Sequence, residues 1–203
     1  STSSSALSRI ERHLALVRMS RIEHAVLASP VLWPALSTKP GDPRSREIEI
    51  ESECFSNVLV RRIADLYTAV AVEAGKEITW WSEPAELGLV YANSNAIEHI
   101  VTNLVDNAVR YAGTHVEVKL SNNPSHFFVR VWDDGPGIGA QYVQHLFDRG
   151  WTPEVVRREE KSSSGLGLFI ARSLARQLGG DLTVETDDRA DGDHHTAFLL
   201  SLP

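Results

Sequence analysis

The amino-acid sequence predicts an α/β two-layer sandwich, in which helices pack on one face of a mixed β-sheet. Two runs, "HVEVKLS" and "FFVRVW", alternate apolar and polar residues around the turn-forming "NNPS", which is typical of a β-hairpin. Apolar residues at helical spacing predict a helix over Ser94–Tyr111, capped by Asn93, and another over residues 166–178, ended by Gly179 and Gly180. Further strands are expected at "EITWW", "LGLVY", "DLTVET" and "HTAFLLSLP".

The first 46 residues are expected to form a region separate from the sandwich. Apolar spacing predicts a helix over residues 7–28. The stretch "SPVLWPALSTKPGDPRS" then has four prolines in 17 residues, which indicates a linker rather than a continuous helix. We therefore place a domain boundary near Ser45, so that residues 47–203 form the principal domain. That domain opens with the strand-like "REIEIE" and a helix over residues 53–74, ended by Gly75.

The composition excludes several classes of partner. The chain has 203 residues, and its hydrophobic fraction of 42% is sufficient for a packed core. A formal net charge of -7 argues against binding to nucleic acid or to an anionic membrane. One cysteine, Cys54, excludes a disulfide framework and fits a reducing compartment, so we expect a cytoplasmic location. No apolar run approaches the roughly 20 residues that cross a bilayer, and no membrane contact is expected.

The helix Ser94–Tyr111 carries two asparagines, Asn103 and Asn107, one turn apart on an otherwise apolar face. One asparagine alone is most simply structural. Two of them, followed by Arg110 and Tyr111, favour a ligand site. An amide oxygen suits Mg²⁺ that already carries phosphate ligands, and an arginine suits the phosphates themselves.

Two glycine-rich stretches add to this interpretation. In "DDGPGIG", Asp133 offers only acceptors, which suits the exocyclic amine of adenine, although a simple turn is the alternative. In "SSSGLGLFIAR", Gly165 and Gly167 open a helix whose free N–H groups favour phosphate, unless it is a glycine-rich start with no ligand. Neither GxGxxG nor a Walker A spacing is present. In this order, the three motifs predict one nucleotide pocket.

The stretches "NLVDNAVRY", "DDGPGIG", "HLFDRGWTP" and "GLGLFIAR" resemble the N, G1, F and G2 boxes of the sensor histidine kinase catalytic domain, in the GHKL ATPase superfamily. The resemblance covers roughly residues 47–203. It implies the ATP-binding fold of that family and the kinase core of a two-component sensor. The core would transfer the γ-phosphoryl of Mg-ATP to a histidine on a separate dimerisation domain, for relay to a response regulator.

The resemblance also implies a role for each matching residue at the metal and phosphate end. Asn107 would bind Mg²⁺, Asn103 would help to hold the metal and the phosphates, and Arg110 would meet a phosphate. Phe147 would anchor a lid over residues 148–164. The residues that close over the phosphates would be Gly165, Leu166 and Gly167.

At the base end, the resemblance makes Asp133 the acceptor for adenine N6. Tyr111 would lie against the adenine face, and Gly135 and Gly137 would shape the pocket around the base. Thr196 would support the Asp133 end through its hydroxyl group.

Two departures bear on mechanism. Relatives that hydrolyse ATP carry a glutamate where this chain has Asn103, and an amide cannot act as a general base, so hydrolysis is expected to be slow. None of the eight histidines stands in the H-[ED]-x-x-[TN]-P context of the phosphoacceptor. The helix over residues 7–28 resembles the second helix of the dimerisation hairpin. We therefore expect the phosphoacceptor histidine to lie outside this chain, and whether the chain forms a homodimer stays an open question.

Two alternatives remain open from the sequence. One is a non-catalytic regulatory module that binds nucleotide or partners with the same fold. The other is a serine kinase of the anti-sigma type, which shares the four boxes.

Overall fold

The computed structural model describes residues 54–55, 57–84, 90–152, 164–188 and 194–203. Within them the chain forms strands and helices whose bounds are, for the strands, β1 (Cys54–Phe55), β2 (Glu77–Glu83), β3 (Val90–Tyr91), β4 (His115–Asn122), β5 (Phe127–Asp133), β6 (Asp181–Asp187) and β7 (His195–Leu202), and for the helices, α1 (Asn57–Glu73), α2 (Ser94–Tyr111), α3 (Ala140–Val143) and α4 (Gly167–Gln177). The predicted N-terminal helix, the proline-rich linker and the strand "REIEIE" lie outside the described residues.

Five of these strands form a mixed sheet in the order β2-β4-β5-β7-β6. Strand β2 runs parallel to β4, and the other neighbours are antiparallel, which confirms the predicted mixed sheet. The predicted hairpin is β4 and β5, with Val118 opposite Val131. The predicted helix over residues 53–74 was wrong at its start, because the backbone of Cys54–Phe55 pairs with β3 instead.

Helices cover one face of the sheet. Helix α2 contacts α1, α4 and β5, while α1 packs on β2 and α4 on β6. The alternation along β5 follows from this arrangement, because Phe127, Val129, Val131 and Asp133 are buried and the residues between them are half-buried. The predicted two-layer sandwich is therefore confirmed. None of the helices in the described ranges is both long enough and apolar enough to cross a membrane.

Helix α2 lies at the centre of the helical layer. At its start, Asn93 Oδ1 accepts a hydrogen bond from the backbone N–H of Ala96 at 3.0 Å, which is the predicted cap. At its end, Lys76 Nζ donates to the carbonyl oxygens of Val109 at 2.7 Å and Arg110 at 3.2 Å. A cation here also offsets the negative end of the helix dipole. Each large apolar side chain that α2 buries contributes about 1.5–3 kcal/mol; its buried apolar residues are Ile97, Ile100, Val101, Leu104, Val105, Ala108 and Val109.

Candidate functional site

Asp133, the last residue of β5, is a carboxylic acid in the interior of the protein. Its exposed fraction is 2%, and in the sheet it lies opposite Val116 on β4 and Thr196 on β7. Its Oδ1 accepts a hydrogen bond from the backbone N–H of Gly135 at 3.0 Å. No described residue donates a hydrogen bond to the other carboxyl oxygen. Within the described part of the chain, Asp133 therefore presents one acceptor oxygen without a donor.

The environment of Asp133 disfavours its charged form. Burial is the main cause, and it raises the pKa of Asp133 from 3.8 to about 7. The hydrogen bond from Gly135 opposes this rise, the neighbouring Asp134 adds to it, and electrostatic interactions with His195 and Lys76 oppose it. A donor that bound the free oxygen would favour the ionised form.

This pKa gives the stability of the protein a defined pH dependence. The folded state holds the Asp133 proton more tightly than the unfolded state. The contribution of this proton to the free energy of unfolding is therefore fully present below about pH 4 and is lost as pH rises through about 7. An Asp133→Asn variant lacks this contribution. We expect its stability relative to the native protein to increase by about 1.4 kcal/mol for each pH unit between pH 5 and 7. Urea denaturation of both proteins at a series of pH values measures the difference, and a difference independent of pH would contradict the assignment.

Two glycines after Asp133 let the chain approach closely at this point. A Cβ atom at Gly135 would lie 2.5 Å from Asp133 Oδ1 and 2.6 Å from the carbonyl oxygen of Tyr111. Gly137 has φ of 72°, and a Cβ atom there would collide with the carbonyl oxygen of Asp187. Gly135 therefore requires glycine because a side chain would collide with neighbouring atoms. Gly137 requires it for the same reason and because its φ is positive.

A comparison of two glycines tests the packing of this loop. Gly137→Ala is expected to destabilise the protein by about 3 kcal/mol or more, because the methyl group adds a backbone collision to the cost of positive φ. Gly75 has the same φ of 72°, but a Cβ atom there would have no other atom within 4 Å. Gly75→Ala should therefore lower the free energy of unfolding by only about 1 kcal/mol. Thermal unfolding of both variants measures this difference. Equal losses would show that Gly137 is not packed as described.

Two residues that the sequence did not single out hold the loop in place. Asp134 accepts hydrogen bonds from the backbone N–H groups of Thr114 and His115, both at 2.9 Å, and from the Thr114 hydroxyl at 2.6 Å. Partial burial alone would raise the pKa of Asp134, but these hydrogen bonds lower it to about 2. Thr186 on β6 accepts from the N–H of Ile138 at 2.8 Å through its hydroxyl oxygen. The loop is thus fixed at both ends.

The two asparagines of α2 lie toward the other end of the site. Asn103 is buried, and its Nδ2 donates to the carbonyl oxygen of His99 at 3.0 Å. Its Oδ1 lies against the start of α4, where a Cβ atom at Gly167 would be 2.8 Å away. Asn107 is half-buried one turn further on, and no hydrogen bond joins its side chain to a described residue. These contacts bring Asn103 and Gly167 together, while the amide of Asn107 has no hydrogen-bond partner among the described residues.

Three other predicted site residues make contacts that do not test their predicted roles. The Arg110 guanidinium is 3.2 Å from the Asp106 carboxylate on the same helix, so its positive charge is partly satisfied within α2. Tyr111 is 37% exposed, and its carbonyl oxygen faces Gly135. Thr196 is buried beside Asp133, but its hydroxyl is 3.5 Å from that of Thr186 rather than bonded to Asp133. Their roles toward a ligand stay predictions.

The glycine-rich stretch before α4 is fixed by backbone contacts. Gly165 has φ of 67°, and a Cβ atom there would lie 2.6 Å from the carbonyl carbon of Gly150 and 2.7 Å from the carbonyl oxygen of Trp151. The Gly150 N–H donates to the carbonyl oxygen of Gly165 at 3.0 Å. Leu166 precedes the first residue of α4, and its N–H is 3.3 Å from the Ser164 hydroxyl. This start of a helix is suited to an anion, because the first N–H groups have no partner within the helix.

Phe147 packs between the sheet and α4. Its ring makes a T-shaped contact with that of Phe198, with ring centroids 6.4 Å apart, and the Arg172 guanidinium lies over the Phe147 ring. The lid that Phe147 is predicted to anchor falls largely on residues 153–163, outside the described part of the chain. Its role as an anchor therefore stays a prediction.

The contacts along α2 place these groups at two points of the same helix, and that they form one site stays a prediction. Tyr111 faces the Gly135 loop and Asn103 faces Gly167, and eight residues along a helix correspond to about 12 Å. One end offers a buried carboxyl oxygen, and the other offers amide oxygens and the start of a helix. Such an arrangement can bind an elongated ligand that has a hydrogen-bond donor at one end and anionic groups at the other.

The fold and these motifs define a nucleotide-binding domain of the GHKL type, and sequence comparison identifies its family. The chain belongs to the family of histidine kinase-, DNA gyrase B-, and HSP90-like ATPases, whose profile matches residues 92–203. It is 30% identical over 166 residues to the sensor histidine kinase YcbM of Bacillus subtilis (strain 168), covering 79% of this chain and 50% of that protein. It is 32% identical over 109 residues to the sensor protein SrrB of Staphylococcus aureus (strain NCTC 8325 / PS 47), covering 53% of this chain and 18% of that protein. The chain thus spans half or less of the length of these relatives.

Solved structures of sensor kinases have the same fold. A mycobacterial sensor histidine kinase, MprB, superposes with a TM-score of 0.63 at 25% identity, over 75% of this chain and 97% of that one. Full-length ShkA in complex with AMPPNP gives a TM-score of 0.67 at 24% identity, over 77% of this chain and 32% of that one. The nucleotide-free catalytic domain of ThkA gives 0.65 at 22% identity, over 76% of this chain and 96% of that one. The predicted histidine kinase type of fold is confirmed.

Proposed function

We propose that residues 47–203 are the ATP-binding kinase core of a two-component sensor histidine kinase. The core transfers the γ-phosphoryl of Mg-ATP to a histidine on a dimerisation domain, which relays it to a response regulator. The observation that carries this proposal is Asp133, a buried carboxyl group with one acceptor oxygen that no described residue satisfies. Membership of the family and the similarity to two sensor kinases support it.

The base end is suited to adenine. Its exocyclic amine would donate to the free oxygen of Asp133, while the Gly135 N–H keeps the other oxygen occupied. Gly135 and Gly137 would shape the pocket around the base, because without side chains they let the loop pack against Tyr111 and Asp187. Tyr111, which is partly exposed at the end of α2, would lie against the face of the base.

The phosphate end is suited to Mg²⁺ and phosphates together. The amide oxygens of Asn107 and Asn103 are the kind of ligand that Mg²⁺ accepts, and Asn107 has no described hydrogen bond to give up. When bound, the ion would neutralise phosphate charge. The backbone N–H groups of residues 165–167 would bind the phosphates, and Arg110 would reach them if it left Asp106.

The nature of Asn103 favours transfer over hydrolysis. Its amide donates to a backbone carbonyl oxygen and cannot take a proton from water. The acceptor would therefore be a histidine on the dimerisation domain, of which residues 1–46 would supply one helix. A cytoplasmic location and a homodimer formed through that domain belong to the same proposal.

Phosphotransfer to a separately supplied histidine hairpin tests the proposal. The chain is incubated with γ-labelled ATP, Mg²⁺ and a hairpin domain from a related sensor kinase, with a hairpin in which that histidine is replaced by glutamine as the control. We expect label on the intact hairpin only, labile in acid and stable in alkali. Label that is stable in acid would indicate a serine kinase. Calorimetry that gave no heat with millimolar Mg-ATP would indicate a module that does not bind nucleotide.

A further inference from the structure

Arg172 on α4 contacts both Phe147 and Asp181, and neither contact has a role in the proposed function above. Its Cζ lies 4.5 Å from the centroid of the Phe147 ring. Its Nε donates to Asp181 Oδ1 at 3.0 Å, and its second terminal nitrogen donates to Oδ2 at 3.3 Å. A guanidinium that binds both oxygens of one carboxylate has a fixed orientation. The cation over the ring is therefore held in place by β6 rather than free to turn away.

The ring of Phe147 has two partners, one on the sheet and one on α4. Phe198, which is 4% exposed on β7, makes a T-shaped contact with it at an interplanar angle of 80°. The Arg172 guanidinium lies over the Phe147 ring, and a cation over an aromatic face is attractive. The side chain of Phe147 thus joins the sheet to α4.

The chain just after Phe147 reaches the proposed phosphate site. Three residues on, the Gly150 N–H donates to the carbonyl oxygen of Gly165 at 3.0 Å, and Trp151 lies against the same glycine. The positive φ of Gly165 sets the direction of the N–H groups that follow it. A shift of residues 147–152 would therefore change where those N–H groups point.

We propose that Arg172 is a positioning residue for the phosphate end of the site. By holding Phe147 against Phe198, it keeps residues 147–152 in contact with Gly165 and so fixes the backbone that binds the phosphates. The inference rests on the proposed function, because it takes residues 165–167 as the phosphate-binding backbone. Arg172 itself need not touch the nucleotide.

A matched pair of arginine variants tests this role. Arg176 also donates to Asp181 Oδ1, at 3.1 Å, but lies over no ring among the described residues. Arg172→Gln and Arg176→Gln each remove one cation from Asp181, and only the first removes the cation from Phe147. We expect Arg172→Gln to weaken Mg-ATP binding about three- to tenfold, to leave adenosine binding unchanged and to speed hydrogen exchange at the Gly150 amide. Arg176→Gln should change none of the three, and Arg172→Lys should partly restore the ATP affinity.

Equal ATP affinities of the two glutamine variants, or equal losses for ATP and adenosine in Arg172→Gln, would overturn the proposal. If Arg172→Gln does not fold, Phe147→Leu keeps the ion pair to Asp181 and must give the same selective loss; a leucine variant with native ATP affinity would also overturn it. In a Phe147→Leu background, Arg172→Gln should cause no further loss of ATP affinity. Failure of the native protein to bind ATP would refute the proposed function, whereas the exchange rate at Gly150 would still report on the Arg172 contact.

Discussion

Replacing Asp133 with asparagine is expected to weaken ATP binding by about 100-fold and, at the same time, to make the unliganded protein more stable at pH 8. The affinity falls because the Gly135 N–H requires the one remaining oxygen of the amide. The amide nitrogen then faces the adenine amine, so that two donors meet in a buried place, at a cost of about 2–3 kcal/mol. Stability rises because the buried carboxyl group no longer has to ionise, which costs about 4 kcal/mol for a pKa raised from 3.8 to about 7.

Calorimetric titration with Mg-ATP and urea denaturation at pH 8 measure the two effects. Asp134→Asn is the matched control, since Asp134 is adjacent but has its pKa lowered by hydrogen bonds from Thr114 and His115. That variant should lose stability where Asp133→Asn gains it. An Asp133→Asn protein that kept its ATP affinity would remove adenine from this end of the site.

Replacing Asn107 with alanine is expected to lower phosphotransfer by about 100-fold, because it removes the amide oxygen proposed to bind the metal. The change should act through Mg²⁺ alone. We expect the native protein to bind ATP more tightly with Mg²⁺ than with EDTA, and the variant to show little of this difference. Adenosine affinity should be unchanged, since the glycine loop meets α2 at Tyr111, one turn beyond Asn107, and no described hydrogen bond joins the Asn107 side chain to that loop.

Asn95→Ala on the same helix is the control for Asn107→Ala. Asn95 is exposed in the first turn of α2, and its replacement should alter neither nucleotide binding nor phosphotransfer. If Asn107→Ala retained the full effect of Mg²⁺ on ATP affinity, Asn107 would not be a metal ligand. Equal losses of ATP and adenosine affinity would show instead that the variant had disturbed the fold.

The sequence was sufficient for the elements whose pattern is long and regular. Strands β4 and β5 alternate between apolar and polar residues over seven or more positions, and α2 has an apolar face and a capping asparagine. All three elements were therefore predicted with nearly the observed bounds. The start of α1 was predicted wrongly because pairing between β1 and β3, a contact remote in sequence, overrides local helical spacing. Asn103 was found because it lies with Asn107 on an otherwise apolar helix, and Asp133 because it opens the glycine-rich stretch that follows a strand.

The residues that support the site could not be predicted in the same way. Thr186 contacts Ile138 across 48 residues of sequence, and Lys76 contacts the end of α2 across more than 30. In the sequence each is an ordinary polar residue of a strand or a turn. Asp134 is similar, because an aspartate before glycine is typical of a turn and gives no sign of the hydrogen bonds that lower its pKa. Only the fold brings these groups to the site.

A crystal structure of the chain with Mg²⁺ and a non-hydrolysable ATP analogue would show directly whether Asp133 and Asn107 bind opposite ends of the nucleotide. We expect the adenine amine within hydrogen-bond distance of Asp133, and the metal bound by the amide oxygen of Asn107 beside the phosphates. A nucleotide bound elsewhere, or one whose base lay near Asn107 and whose phosphates lay near Asp133, would contradict it.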